Sequence, residues 1–222
     1  MNIIIKTLFL SILWNYFSNG NKSLEKYDNK IKFSIFRSIC CLTIFIYAVL
    51  NVFKYGKKPV LNPFFSTSFD IKDLNDWFVA YLLHDLICMA INKTDRIELW
   101  FHHIFSLFTF VIPPLYMNNS CYILNVLLLS ELMSVFSGID SMFINDNEMR
   151  KSMFCKKIRK FVIRYVRTPI WIYVIILAIL NYKKLPKIVL LNCGVAAIVM
   201  PFLDYFWAKK CQKVIDKYEN KI

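Results

Sequence analysis

The sequence predicts an all-α protein, a multi-pass transmembrane helical bundle that crosses a lipid bilayer six or seven times. Composition is the first reason. Of 222 residues, 57% are hydrophobic and 19% charged, where a soluble domain carries about a quarter charged residues. The second is blocking, because the apolar residues fall into runs near the length of about 20 residues that a span requires. The third is charge placement. Lys and Arg sit between the runs, and counting them on alternate sides gives twenty against eight.

The runs follow in order. Ile3–Phe17 is short and contains Lys6 and Asn15, so it can be a signal anchor, a tilted span or an interfacial helix. Phe33–Phe53 and Trp77–Ile91 are clearer, and Asn92-Lys93-Thr94-Asp95-Arg96 makes a tight polar turn after the second. Ile97–Met117 carries Pro113-Pro114, where a kink or stop is expected. Cys121–Ile139 pairs with it as a hairpin, and Phe161–Tyr182 with Lys187–Ala208 forms another. Asp140–Lys160 and the tail beyond Ala208 read as loop and solvated helix. The domain scheme is therefore an N-terminal hydrophobic segment and polar linker (1–32), a membrane domain (33–208) and a basic tail (209–222). The side with twenty cations should be cytosolic, and it includes the C-terminus.

A formal charge of +13 raises the question of nucleic acid. The charges form no single basic face, so membrane orientation and anionic headgroups account for them, and no nucleic-acid partner is expected. The cysteines lack metal or disulfide spacing. With three His in the chain, and His102 and His103 diverging around one helix, no metal is expected. Cys155 and Cys211, each beside a lysine pair, are candidates for reversible acylation.

Ionisable groups at membrane depth usually face a bundle interior, because each costs a few kcal/mol in lipid. Here they cluster. Tyr81, His84, Asp85, Cys88 and Asn92 share an arc of about 100°. Asp95, Glu98, His102, Ser106 and Thr109 share one of about 80° on the next helix. Ser130, Ser134, Ser137 and Ser141 form a stripe with Glu131 and Gly138 beside it, which reads first as close helix packing. Arg164, Arg167 and Trp171 share a face, and Asp204 lies near the end of the last run. The set describes either a cavity with His102 or His103 as base or nucleophile, or hydrogen bonds between helices. In the first reading, His84, Asp85, His102 and Glu131 line one shared cavity.

Tyr81-x-x-x-Asp85, His102-His103, the segment Leu-Leu-Leu-Ser-Glu-Leu-Met-Ser-Val-Phe (127–136), Arg167-Thr168-Pro169 and Asp204-Tyr205-Phe206-Trp207 occur in this order. Together they resemble the TLC domain, named for the TRAM, Lag1 and CLN8 proteins, over roughly 33–215. Where many members read Glu-x-Ser-Thr-Pro-Phe, this chain has Glu131-Leu132-Met133-Ser134-Val135-Phe136, and the ceramide-synthase branch's pair of adjacent aspartates is missing. The resemblance is thus to the short, non-synthase members. It implies residence in the endoplasmic reticulum or a related endomembrane, and lipid sensing and homeostasis without a cofactor. Membrane lipids, a second copy or a membrane-protein cargo are the partners it implies. The alternative it implies is an acyltransferase resembling ceramide synthase, with acyl-CoA as co-substrate. There His102 or His103 would act as base or acyl carrier, Glu98 or Asp85 would orient it, and Arg164 or Arg167 would meet the CoA phosphates.

Overall fold

In a computed structural model of the chain, residues 2–56, 68–94, 96–117 and 122–219 are described. Asp95 and Cys121, both placed by the sequence reading, lie outside them. The described elements are helices: α1 (Ile3–Gly20), α2 (Asn29–Gly56), α3 (Phe69–Ile91), α4 (Ile97–Met117), α5 (Tyr122–Leu128), α6 (Leu132–Asn145), α7 (Met149–Val162), α8 (Thr168–Leu180) and α9 (Lys187–Glu219). A 3-10 turn, Leu129–Glu131, joins α5 to α6, and a π turn, Ile163–Arg167, joins α7 to α8. Counted as continuous rods, six helices are long and apolar enough to cross a membrane: α2, α3, α4, α5–α6, α7–α8 and α9. With polar turns between them, they make an integral multi-pass membrane protein.

The rods alternate in direction, so the bundle has two ends. At one end Tyr27 Oη donates to Asp146 at 2.7 Å, and Lys210 pairs with Glu98 at 3.0 Å. This is the C-terminal end. At the other, Lys54 pairs with Asp70, and Asn51 donates to Asn125 at 2.7 Å. α1 runs beside α3 in the same direction. Lys6 pairs with Asp73 at 2.7 Å beside Trp77, while Trp14 packs on Phe33 and Phe36 at the C-terminal end.

The serine stripe does what small residues do in membranes, where close approach replaces the missing hydrophobic drive. A Cβ on Gly138 would stand 1.9 Å from Ser38 Oγ and 2.1 Å from the Ser34 carbonyl oxygen, so α2 and α6 touch backbone to backbone. Ser38 Oγ donates to the Val135 carbonyl at 2.9 Å, and Ser34 Oγ donates to Ser141 Oγ at 3.2 Å.

Four expectations need correction. Asp140–Lys160 is not a loop: α6 continues to Asn145, Asn147 turns the chain at φ 58°, and α7 begins at Met149. The tail is helical but not wholly solvated, since α9 runs on to Glu219 and packs along α7. Buried ionic and apolar groups explain both. Asp140 receives Lys156 at 2.6 Å, Ser152 at 2.6 Å and Arg159 at 3.4 Å, which ties α6 to α7. Cys155, Cys211 and Ile215 are buried, so the two cysteines are packing groups rather than exposed acylation sites. The Pro113-Pro114 pair does not stop α4, which continues to Met117.

Candidate functional site

The site lies toward the C-terminal end, where α2, α3, α4, α6 and α9 converge. Tyr81 and Asp85 are four residues apart, so helical periodicity puts both on one side of α3. Asp85 is fully buried and pairs with Arg37 Nε of α2 at 2.9 Å and with His103 Nε2 of α4. His103 Nδ1 lies 3.0 Å from the Leu99 carbonyl, one turn back on its own helix. A carbonyl only accepts, so Nδ1 carries its hydrogen there. Both ring nitrogens of His103 are therefore engaged, and the ring is a strut between helices.

His102 has the opposite fate. It points about 100° away on α4 and packs edge-on against His103 at 5.3 Å and Trp207 at 5.2 Å. Its Nδ1 is buried with no hydrogen-bond partner among the described residues. Trp207 Nε1 is in the same condition. Buried polar groups are normally satisfied, and the two residues that carry these unpartnered atoms also line one space.

That space is a cavity of about 40 Å³ lined by Tyr81, His102, His103, Glu131, Ser134, Arg159 and Trp207, among others. Glu131 accepts from Ser134 Oγ at 2.8 Å, and Cys41 Sγ lies 3.6 Å from it and 3.3 Å from Tyr81 Oη. The cavity shares Ser34, Arg37, Arg96 and Leu99 with a vestibule of about 290 Å³ that Lys30, Phe33, Asn92 and Thr94 complete. Three of these wall residues are cations, and none of the described ones is acidic. The approach from the C-terminal end thus carries three cations, of which Arg37 and Arg96 are paired with Asp85 and Glu98, and the interior holds hydrogen-bonding groups of both kinds.

A second buried pair closes the far wall. Arg167 and Asp204 lie 2.8 Å apart, both almost fully buried, and the guanidinium stacks over Trp207 at 5.8 Å. Two helix irregularities make this pairing possible. Pro169 has no N–H to continue the α-helical ladder, and the π turn before it swings Arg167 inward. Thr168 Oγ1 donates to the Ile163 carbonyl at 2.9 Å, satisfying a group the turn displaces. Opposite it, the 3-10 turn that carries Glu131 presents the Ser130 carbonyl, which accepts from Arg167 Nη1 at 3.3 Å.

The structure thus brings together Tyr81, His102, His103, Glu131 and Ser134 around the cavity, with Asp85, Arg167 and Asp204 behind its walls. It does not bring in four other predicted residues. His84 faces α2, beside Phe36 at 5.7 Å and Phe33 at 6.4 Å, with Cys88 Sγ 3.5 Å away. One residue's rotation from Asp85 separates it from the cavity it was expected to share. Glu98 belongs to the rim, paired with Arg96 at 3.2 Å and Lys210. Arg164 is exposed over the Tyr165 ring. Ser106 is buried by a separate void of about 10 Å³. Sequence reasoning missed Arg37, Arg96 and Trp207. An arginine inside a run as apolar as α2 was a usable signal for the first.

The family model for the TLC domain matches residues 30–213. A six-span bundle with this match over most of its length belongs to the TLC domain family. No curated protein and no solved structure shows a significant match.

Proposed function

We propose that this protein binds the headgroup of a membrane lipid through the basic vestibule and the polar cavity, and through that binding senses or adjusts membrane lipid composition. The carrying observation is that His102, whose buried Nδ1 has no partner among the described residues, lines a cavity continuous with a vestibule walled by Lys30, Arg37 and Arg96. An anionic or zwitterionic headgroup meets cations at the entrance and hydrogen-bond partners inside. The charge asymmetry supports an entrance on the cytosolic side together with the C-terminus, and the family relationship favours the endoplasmic reticulum or a related endomembrane.

An acyl-CoA-dependent N-acyltransferase is the second reading, favoured by the free nitrogen of His102. In that case Lys30, Arg37 and Arg96 replace Arg164 and Arg167 as the groups that would meet CoA phosphates. A general base needs a free nitrogen and a partner that orients the ring. Among the described residues the two requirements are split: His103 has the orienting carboxylate but no free nitrogen, and His102 has the nitrogen but no carboxylate. This split is why binding ranks above catalysis.

Lipidomics of cells expressing the wild type, His102→Ala or His103→Ala separates the two. Binding predicts an altered phospholipid profile that depends on His102, without a new acyl-amide species. A rise in ceramide or another acyl amide that needs the histidines would establish the transferase instead.

A further inference from the structure

A second space, unrelated in chemistry to the first, lies between α1, α2 and α3. It holds about 290 Å³ and is walled by Leu13 of α1, Phe36, Thr43 and Tyr47 of α2, and Trp77 and Tyr81 of α3, among others. None of the residues lining it is charged. Its one aliphatic hydroxyl, on Thr43, already donates to the Ile39 carbonyl at 3.0 Å. Water needs two to four polar partners to stay in such a place. The occupant must therefore be apolar.

Shape narrows the choice. Phe36 to Tyr47 along α2 covers about 16 Å at 1.5 Å per residue. The volume is about twice that of the roughly 150 Å³ engineered cavity that accepts benzene. The trough is long, narrow and far too small for a helix about 10 Å across. The Lys6–Asp73 pair stands against Trp77 at one end, and the Trp14, Phe17 and Phe36 rings pack at the other. A guest enters sideways from the bilayer. Tyr81 forms part of both walls, so a single ring divides the trough from the polar cavity.

We propose that α1, α2 and α3 form a lateral seat for one acyl chain of a membrane lipid, distinct from the headgroup cavity. α1 supplies the outer wall, and it precedes the segment that matches the family. The outer wall of the seat thus lies outside the matched segment, and its inner walls lie within it. Its existence does not rest on the cavity's being occupied.

The test reconstitutes the full chain in phosphatidylcholine vesicles containing a trace of phosphatidylcholine with a mid-chain diazirine. After illumination, the labelled peptides are mapped. Labelling of α1 and of residues 36–47 should exceed that of the lipid-facing Ile172 and Ile179 of α8 several-fold. Thr43→Trp and Leu13→Trp, which fill the trough from opposite walls, should each bring it down to the α8 level. His102→Ala should leave it unchanged. Even labelling over all lipid-facing helices would overturn the proposal, as would labelling that survives both tryptophans, or cross-links joining two copies of α1 in place of lipid.

Discussion

The α2–α6 seam and the α3–α4 corner both place polar residues at membrane depth, yet they solve different problems. Along α2–α6 the polar atoms are hydroxyls, the helices touch at Gly138, and the seam carries hydroxyl hydrogen bonds such as Ser38 to Val135 and Ser34 to Ser141. At α3–α4 the groups are ionisable, and a cavity remains with His102 Nδ1 unpartnered beside it. Polarity inside a bundle is therefore not evidence of function by itself. The informative group is the buried one left unsatisfied after its neighbours have paired.

The largest effect should come from the charged corner and its far wall. Asp204→Ala leaves the Arg167 guanidinium buried without its carboxylate, and Asp85→Ala leaves the half-buried Arg37 and the ring of His103 without theirs. Each should lower stability by about 3–5 kcal/mol, read by thermal or denaturant unfolding in detergent. The Asp204→Ala/Arg167→Met double variant should recover most of the loss. A single-variant change under about 1 kcal/mol would remove the charged corner's structural role.

The seam comes next. Gly138→Ala drives a methyl group into the Ser34 backbone carbonyl, and an overpacked contact of this kind costs about 1–3 kcal/mol. Gly194→Ala in α9 is the control, because nothing lies within 4 Å of its added Cβ. Alanine also favours a helix by up to about 1 kcal/mol over glycine. If both variants behaved alike, the backbone contact between α2 and α6 would be disproved.

Single hydroxyls should matter less. Ser141→Ala removes a bond of a type that averages about 0.6 kcal/mol in membrane bundles. Ser134→Ala should cost no more, but it frees Glu131 and so should change ligand binding where Ser141→Ala does not. Equal effects of the two on binding would merge the seam and the corner into one region.

The smallest effect concerns the clasp outside the membrane. Asp146 accepts hydrogen bonds from Tyr27 and Lys26, and these hold its carboxyl below the ordinary carboxylate range. A lowered folded-state pKa means the clasp stabilises above the unfolded value of about 3.9 and is lost as pH falls through the lowered one. Tyr27→Phe should flatten the acid limb of the stability profile only slightly, since the group is exposed.

Much of this was legible from residue order. The six crossing rods follow from run length, and the packing role of the serines follows from their spacing. The divergence of His102 and His103 follows from 100° per residue, and the two rings meet different neighbours, Asp85 for His103 and Trp207 for His102. His84 failed for the same geometric reason. Its arc was counted together with Asp85's, but the rings of Phe33 and Phe36 offered its imidazole a nearer surface. The partners of Asp85 and Asp204 were not legible, because one sequence does not say which rods are neighbours. The inward swing of Arg167 depends on a π turn to which only Pro169 gave a clue. The tail read as solvated because its lysines dominate, while Cys211 and Ile215 between them face α7.

The central claim is that the basic vestibule and the His102–Glu131 cavity hold a lipid headgroup. Native mass spectrometry of the purified protein tests it most directly, comparing the wild type with His102→Gln, Glu131→Gln and the seam variant Ser141→Ala. The expected result is a phospholipid retained by the wild type and Ser141→Ala, and depleted about tenfold, or 1.4 kcal/mol, in both cavity variants while they remain folded. An identical lipid complement on all four proteins would contradict the account.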